Sequence, residues 1–139
     1  MYRVLMPVDT NEQRSLAQAR YAAGLPDASN SVEVTVLYVF DDDDSLGPDS
    51  DESARQPEDL ESVVSVAEFF ESEGVAYQTA KDRADPVGAI LDQADLHETD
   101  EIVLGGRKRS PAGKVLFGSV TMSVLRNTDV PVVVTGAAE

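Results

Sequence analysis

Four of the 11 basic residues of this chain fall in one short run, Gly105-Gly106-Arg107-Lys108-Arg109-Ser110-Pro111-Ala112-Gly113-Lys114-Val115-Leu116-Phe117-Gly118-Ser119. The rest of the chain carries seven basic side chains against 26 acidic ones. Cations gathered in one stretch of so acidic a chain, with glycines at both ends, describe a place for an anion. Phosphate is the natural candidate. Gly105 has no Cβ and lets a ligand come close to the backbone. Gly118 and Ser119 read as the start of a helix, whose free N–H groups and positive dipole end favour a phosphate. The plain alternative is that Gly118 and Ser119 only cap that helix. Asp9 is the best candidate for a functional carboxylate. Its alternative role is that of a carboxylate at a helix N-terminus.

These residues must be held by an alternation of strands and helices. A buried strand is expected over 2–8, with Asp9 and Thr10 directly after it. Thr10-Asn11-Glu12-Gln13 fits a capping box with Thr10 as N-cap. The first helix then runs to about Ala23, with Leu16, Ala19 and Ala23 on one face, and Gly24, Pro26 and Asp27 stop it. A β-branched strand follows over 32–40. The acidic stretch 41–56 has no apolar period and reads as a long loop. A helix over 57–73 shows Leu60, Val63, Val64, Ala67 and Phe70 at helical spacing, with Gly74 as its C′ residue. A strand over 75–81 precedes Asp85, the N-cap of a helix with Pro86 at its first position and Ala89, Ile90 and Ala94 inward. A strand over 101–104, a helix from Gly118-Ser119 to about Asn127 and a strand over 130–135 complete the chain.

Five strands alternating with four helices specify one α/β domain over residues 1–139. It is a three-layer, doubly wound, open parallel sheet. In such a sheet the ligand sits beyond the carboxyl ends of the strands, where the strand order reverses. If the first and fourth strands flank that point, Asp9 and Gly105 face each other across one crevice.

Composition narrows the partners. A formal net charge of −15 argues against nucleic acid and against anionic membranes. There is no 18-residue apolar stretch and no signal-peptide pattern after Met1, so the chain reads as a soluble cytoplasmic protein. With no cysteine, disulfides and thiolate metal sites are excluded. Asp outnumbers Glu, 15 to 11, and there are three lysines. That is a haloarchaeal type of composition, suited to a halophilic cytoplasm where concentrated salt screens the excess charge; the plain alternative is an ordinary acidic mesophilic protein.

Competing motifs fail on spacing. A Walker A loop ending at Gly113-Lys114 would need Gly where Lys108 stands and Ser or Thr where Val115 stands. No G-x-G-x-x-G follows the first strand. Asp41 to Asp44 lack the register of a calcium loop. His97, the one histidine, lies near the end of the third helix, where a cation interacts favourably with the dipole, and no Ser-His-Asp or His-metal argument is built on it.

The chain resembles the universal stress proteins (UspA-like) over essentially its full length. The residues that carry the resemblance are Val4-Leu5-Met6-Pro7-Val8-Asp9, Asp85-Pro86, Gly105, Gly118-Ser119-Val120, Val124-Leu125 and Val130-Pro131-Val132-Val133-Val134. The family's ATP-binding signature G-x2-G-x9-G-[ST] is matched in spacing by Gly105, Lys108 and Gly118-Ser119. Lys108 stands where the second glycine belongs. Lysine resists positive φ and fills space, yet its ammonium neutralises phosphate. The resemblance implies sheet order 3-2-1-4-5, the adenine nucleotide alpha hydrolase-like fold. It also implies a homodimer through the fifth strand, with Val130, Pro131, Val132, Val133, Val134 and Thr135 at the interface. For the ligand it implies ATP, with Mg or Mn. Adenine and ribose would lie near Pro7, Val8, Asp9 and Val39. Phosphates would lie near Leu104, Gly105, Arg107, Lys108, Gly118, Ser119 and Val120.

Three functions are compatible with these residues. The first is a dimeric stress-response regulator or sensor that binds ATP or a related nucleotide. The second, motivated by Lys108, is a dimeric interaction protein whose basic loop binds another anion or an acidic protein partner. The third is a slow ATPase or nucleotidyl transferase, for which only Asp9 and the cationic loop speak.

Overall fold

The computed structural model describes residues 1–39, 60–82, 85–106 and 118–136. Its elements are β1 (Tyr2–Val8), α1 (Glu12–Ala23), α2 (Ala28–Ser31), β2 (Val32–Val39), α3 (Glu61–Glu73), β3 (Ala76–Asp82), α4 (Pro86–Leu96), β4 (Glu101–Gly105), α5 (Ser119–Asn127) and β5 (Val132–Thr135). The five strands form one parallel sheet of order β3-β2-β1-β4-β5. The expected order is therefore observed.

Alternation along the central strands sends side chains to two separate apolar layers. Val4, Met6 and Val8 of β1, with Val34 and Val36 of β2, pack under α1 and α3 with Ala19, Ala22, Val63, Val66 and Phe70. Leu5, Leu37, Ile102 and Leu104 face the other way and meet Ile90 and Ala94 of α4 and Val124 of α5. Both faces of the sheet are covered, as an all-parallel sheet requires.

Several boundaries differ from the sequence reading. Helix α1 is capped by Asn11 and not by Thr10. Asp9 Oδ1 accepts from Asn11 N at 2.8 Å, which turns the chain once more, and Asn11 Oδ1 then accepts from Arg14 N at 2.9 Å. Among the described residues there are five helices and not four. The extra one, α2, starts from Asp27 at φ 55, whose carboxylate accepts from Asn30 Nδ2 and Ser31 Oγ. Strand β5 begins at Val132, because Pro131 gives its carbonyl to Ile102 N but has no N–H to give in return. The expected caps elsewhere are present. Asp85 Oδ2 accepts from Gly88 N with Pro86 in the first turn, and Gly74 ends α3 at φ 71. The expected loop 41–56 and the first residues of the 57–73 helix lie outside the described residues.

At the amino ends of the strands, Glu101 is buried and accepts from Tyr2 Oη at 2.7 Å and Tyr21 Oη at 2.6 Å. Those hydrogen bonds, with burial added, push both phenols up to about 12. Each phenol holds its proton more tightly folded than unfolded. The stability this contributes is complete below the ordinary value of 10.0 and is lost as pH climbs toward 12. In Glu101→Gln, tyrosinate absorbance is expected to rise at lower pH than in the unmutated protein. Coincident titrations would refute the cluster.

Candidate functional site

Strand β1 is paired with β2 to its last residue, Val8 against Tyr38. Its register with β4 covers only Val4 against Glu101 and Leu5 against Ile102. The β1–β4 ladder ends at those pairs, and the crevice of a doubly wound sheet lies at this reversal of strand order. Pro7 lies past the end of this ladder and brings no backbone donor. Helix α1 supplies one. Gln18 Nε2 donates to Pro7 O at 2.7 Å and to Val103 O at 3.0 Å, tying the two strands together from above. Gln18 is 1 % exposed.

A cleft of about 320 Å³ lies over the crevice. The ends of β1, β2 and β4 form one side, with Pro7, Val8, Asp9, Val39, Leu104 and Gly105. Gly118, Val120 and Thr121 of the α5 start, and Pro86 and Ile90 of α4, form the other. Pro7, Val8, Asp9, Val39, Leu104, Gly105, Gly118 and Val120 are thus brought together as the sequence reading expects. Ser119 is exposed and does not line the cleft. Arg107, Lys108, Arg109 and Lys114 lie outside the described residues.

The start of α5 suits an anion. Gly118 is its N-cap, in extended backbone at φ −75, and has no side chain to satisfy the first-turn N–H groups. Gly118 O accepts from Met122 N at 3.2 Å, so the helix is formed from its first turn.

Sequence reasoning missed Arg14. It lies one turn before Gln18 on α1 and reaches across the crevice. Its guanidinium pairs with Asp9 Oδ2, and its Nε donates to Gly106 O at 3.1 Å. Its stem lies over Gly105. A Cβ built at Gly105 would stand 2.5 Å from Arg14 Cγ, 2.6 Å from Arg14 Cδ and 3.1 Å from Gln18 Oε1. The space above Gly105, expected to admit a ligand, is taken by Arg14. The available signal was the i, i+4 spacing of Arg14 and Gln18 directly after β1.

Asp9 is held from several sides. Its Oδ1 accepts from Asn11 N, its Oδ2 pairs with Arg14, and its backbone oxygen accepts from Ser62 Oγ at 2.7 Å. Its side chain remains 51 % exposed. Asp9 is therefore both a turn-former and an open carboxylate at the mouth of the cleft. No group of three or more His, Asp or Glu among the described residues is placed to hold a metal ion. No helix among them is long and apolar enough to cross a membrane.

Residues 1–136 match the universal stress protein family. A universal stress protein of Methanocaldococcus jannaschii is 26 % identical over 138 residues, covering 95 % of this chain and 80 % of that protein. The universal stress protein of Archaeoglobus fulgidus, solved in complex with dAMP, superposes with a TM-score of 0.69 at 22 % identity, covering 98 % of each chain. A family member from Arabidopsis thaliana, solved with AMP bound, superposes with a TM-score of 0.68 at 16 % identity, covering 99 % of this chain and 92 % of that one. At these identities the solved structures establish the fold, and the nucleotides belong to those proteins.

Proposed function

The chain belongs to the universal stress protein family, and from that premise we propose that it is a cytoplasmic stress-response regulator that binds ATP or a related adenine nucleotide in the cleft between β1 and β4. The observation that carries this reading is the cleft itself. It lies at the reversal of strand order, and its 320 Å³ falls within the roughly 300–1,000 Å³ of small-molecule sites. Adenine and ribose are assigned to Pro7, Val8, Asp9 and Val39. The phosphates are assigned to the Leu104-Gly105 end of β4, to Arg107 and Lys108, and to Gly118 and Val120 at the start of α5; Ser119, exposed outside the cleft lining, is left out of the assignment. The dAMP and AMP in the Archaeoglobus and Arabidopsis relatives support an adenine nucleotide as ligand. Asp9, the one carboxylate lining the cleft among the described residues, is shared between Arg14 and Asn11 N. The described residues thus fit a nucleotide better than a metal centre of the protein's own, and Mg or Mn is assigned to the phosphates.

Titration calorimetry with ATP, AMP and dAMP in about 2–3 M KCl, where the net charge is screened, tests the reading. Micromolar or tighter binding of any of them supports it. Failure of all three with folded protein overturns it. The Arg14 stem above Gly105 favours a second reading, in which the cleft serves another anion and the protein works by contacts with protein partners. An intact dimer with no nucleotide affinity is the sign of that alternative.

The dimer is assigned to β5. It is an edge strand, paired on one side with β4, and Val132, Val133 and Val134 are only half-buried. A second copy of β5 would cover the edge and these valines. Val133→Lys places a charge at this edge while its stem still covers apolar surface. Sedimentation is expected to show a dimer for the unmutated protein and a monomer for Val133→Lys. Nucleotide affinity should be unchanged, since β5 does not line the cleft. A monomer before mutation would refute the assignment.

A further inference from the structure

The geometry points to Arg14 as an anion-binding residue of the cleft, presenting guanidinium N–H groups to a phosphoryl oxygen where the Gly105 backbone would otherwise meet it. The nature of the ligand, an organic phosphate, rests on the nucleotide reading above. The place and orientation of the cation do not.

Arg14 lines the same cleft as Asp9, Gly105 and Gly118. It is anchored at two points, by Gly106 O on Nε and by Asp9 on one terminal nitrogen. A guanidinium carries five N–H donors in a planar fork. Two are used in this way, and three take no acceptor among the described residues. The side chain is 21 % exposed, and no buried polar side-chain atom among the described residues lacks a partner. The terminal nitrogen that makes no hydrogen bond is therefore open to water, which an anion can replace.

Anchoring decides what this cation is good for. A free surface arginine must order a long side chain to hold an anion, and screening leaves little net gain. Here the stem is already fixed between α1 and Gly105, so ordering costs less. The opposing charge in the lining is Asp9. Both of its oxygens are engaged, one by Asn11 N and one by Arg14 itself, which limits its repulsion of an incoming anion. The Arg14 stem also covers Gly105, so an anion approaching β4 from the cleft meets Arg14 before the backbone, with the guanidinium held just beyond at Gly106 O and Asp9. The fork suits the oxygens of a phosphate, and a neutral nucleoside offers it no charge-assisted, bidentate partner. The role is thus one of selection for the phosphorylated ligand.

The test follows the Arg14 Nε–Hε resonance, identified by its loss in Arg14→Gln, during titration with inorganic phosphate, AMP and adenosine. Arg14→Gln keeps much of the stem over Gly105 and removes the charge. Phosphate and AMP are expected to move the resonance, and adenosine to leave it in place. Arg14→Gln should weaken AMP roughly 10- to 100-fold and adenosine by less than about twofold, with Arg14→Lys in between for AMP. If AMP binds both proteins equally and the resonance stays fixed, the inference fails while the nucleotide reading stands. If phosphate moves the resonance but neither AMP nor adenosine binds, the inference stands and the nucleotide reading fails. If neither phosphate nor AMP moves it, Arg14 is not an anion ligand.

Discussion

Gln18→Leu is expected to lower the unfolding free energy by about 2–6 kcal/mol, with an unchanged denaturant slope. The amide of Gln18 is buried and spends both of its N–H groups on Pro7 O and Val103 O. Leucine fills similar space but donates nothing. It leaves two carbonyls facing a hydrocarbon side chain, each at a cost of about 1–3 kcal/mol. The loss is concentrated where β1 and β4 have stopped pairing, so nothing in the described ladder takes over. Gln18→Glu sharpens the test. A carboxylate between two carbonyl oxygens is repelled by both, whereas its protonated form donates one hydrogen bond. Its folded pKa is raised, so the stability of this variant is greatest in acid and is lost as pH rises through that value. Chemical denaturation across pH reads both effects. A loss below about 0.5 kcal/mol for Gln18→Leu would show that Gln18 does not bridge the strands.

The parts of this molecule that obey one physical rule were legible from residues alone. Val4, Met6 and Val8 alternate with Leu5 because a central parallel strand must feed two apolar layers. Asp85-Pro86 announces a helix start, since the carboxylate takes an orphan N–H and the proline ring presets φ. The carboxyl-end location of the cleft follows from topology. Other parts were hidden by competition between rules. Thr10 and Asn11 are both good caps. Only the turn made by Asp9 and Asn11 N decides for the second. Helix α2 is too short to show a period, and its start depends on left-handed backbone at Asp27.

Arg14 and Gln18 show the deeper reason. On a helix that covers a sheet, long polar side chains read as its solvent face. Over most of α1 that logic holds, with Ala19 and Ala22 on the buried side. At the reversal of strand order, the surface beneath the helix is a gap edged by carbonyl oxygens. There a buried glutamine and an anchored arginine are the residues that fit. The placement of this glutamine and arginine was not read from the sequence, because it follows from the interruption of the sheet at the cleft. It also corrects the meaning of Gly105, whose missing side chain is required by Arg14 and Gln18.

Gly105→Ala separates these roles. Among the described residues Gly74 is the one glycine at positive φ, so alanine at 105 is resisted by space and not by backbone conformation. Its methyl group would stand 2.5–2.6 Å from the Arg14 stem, which is fixed beyond that point by Asp9 and Gly106 O. Arg14 must leave the crevice or the backbone of β4 must shift. Overpacking of this kind costs about 1–3 kcal/mol. The ion pair itself adds little, because Asp9 is half exposed and its pairing is screened. In an Arg14→Ala background the main clash is gone, and Gln18 Oε1, at 3.1 Å, still has to give way. The cost of Gly105→Ala should then fall below about 1 kcal/mol, and a double-mutant cycle reads the difference as coupling. Equal costs in the two backgrounds would refute the packing argument. Binding measured on the same variants decides what the displaced arginine was doing. Gly105→Ala weakens phosphate and AMP if Arg14 is their ligand, because expulsion removes the cation from the cleft. If Arg14 merely blocks access to the backbone of β4, Arg14→Ala opens that path and tightens AMP. The sign of the change therefore separates a selective anion site from a plugged one.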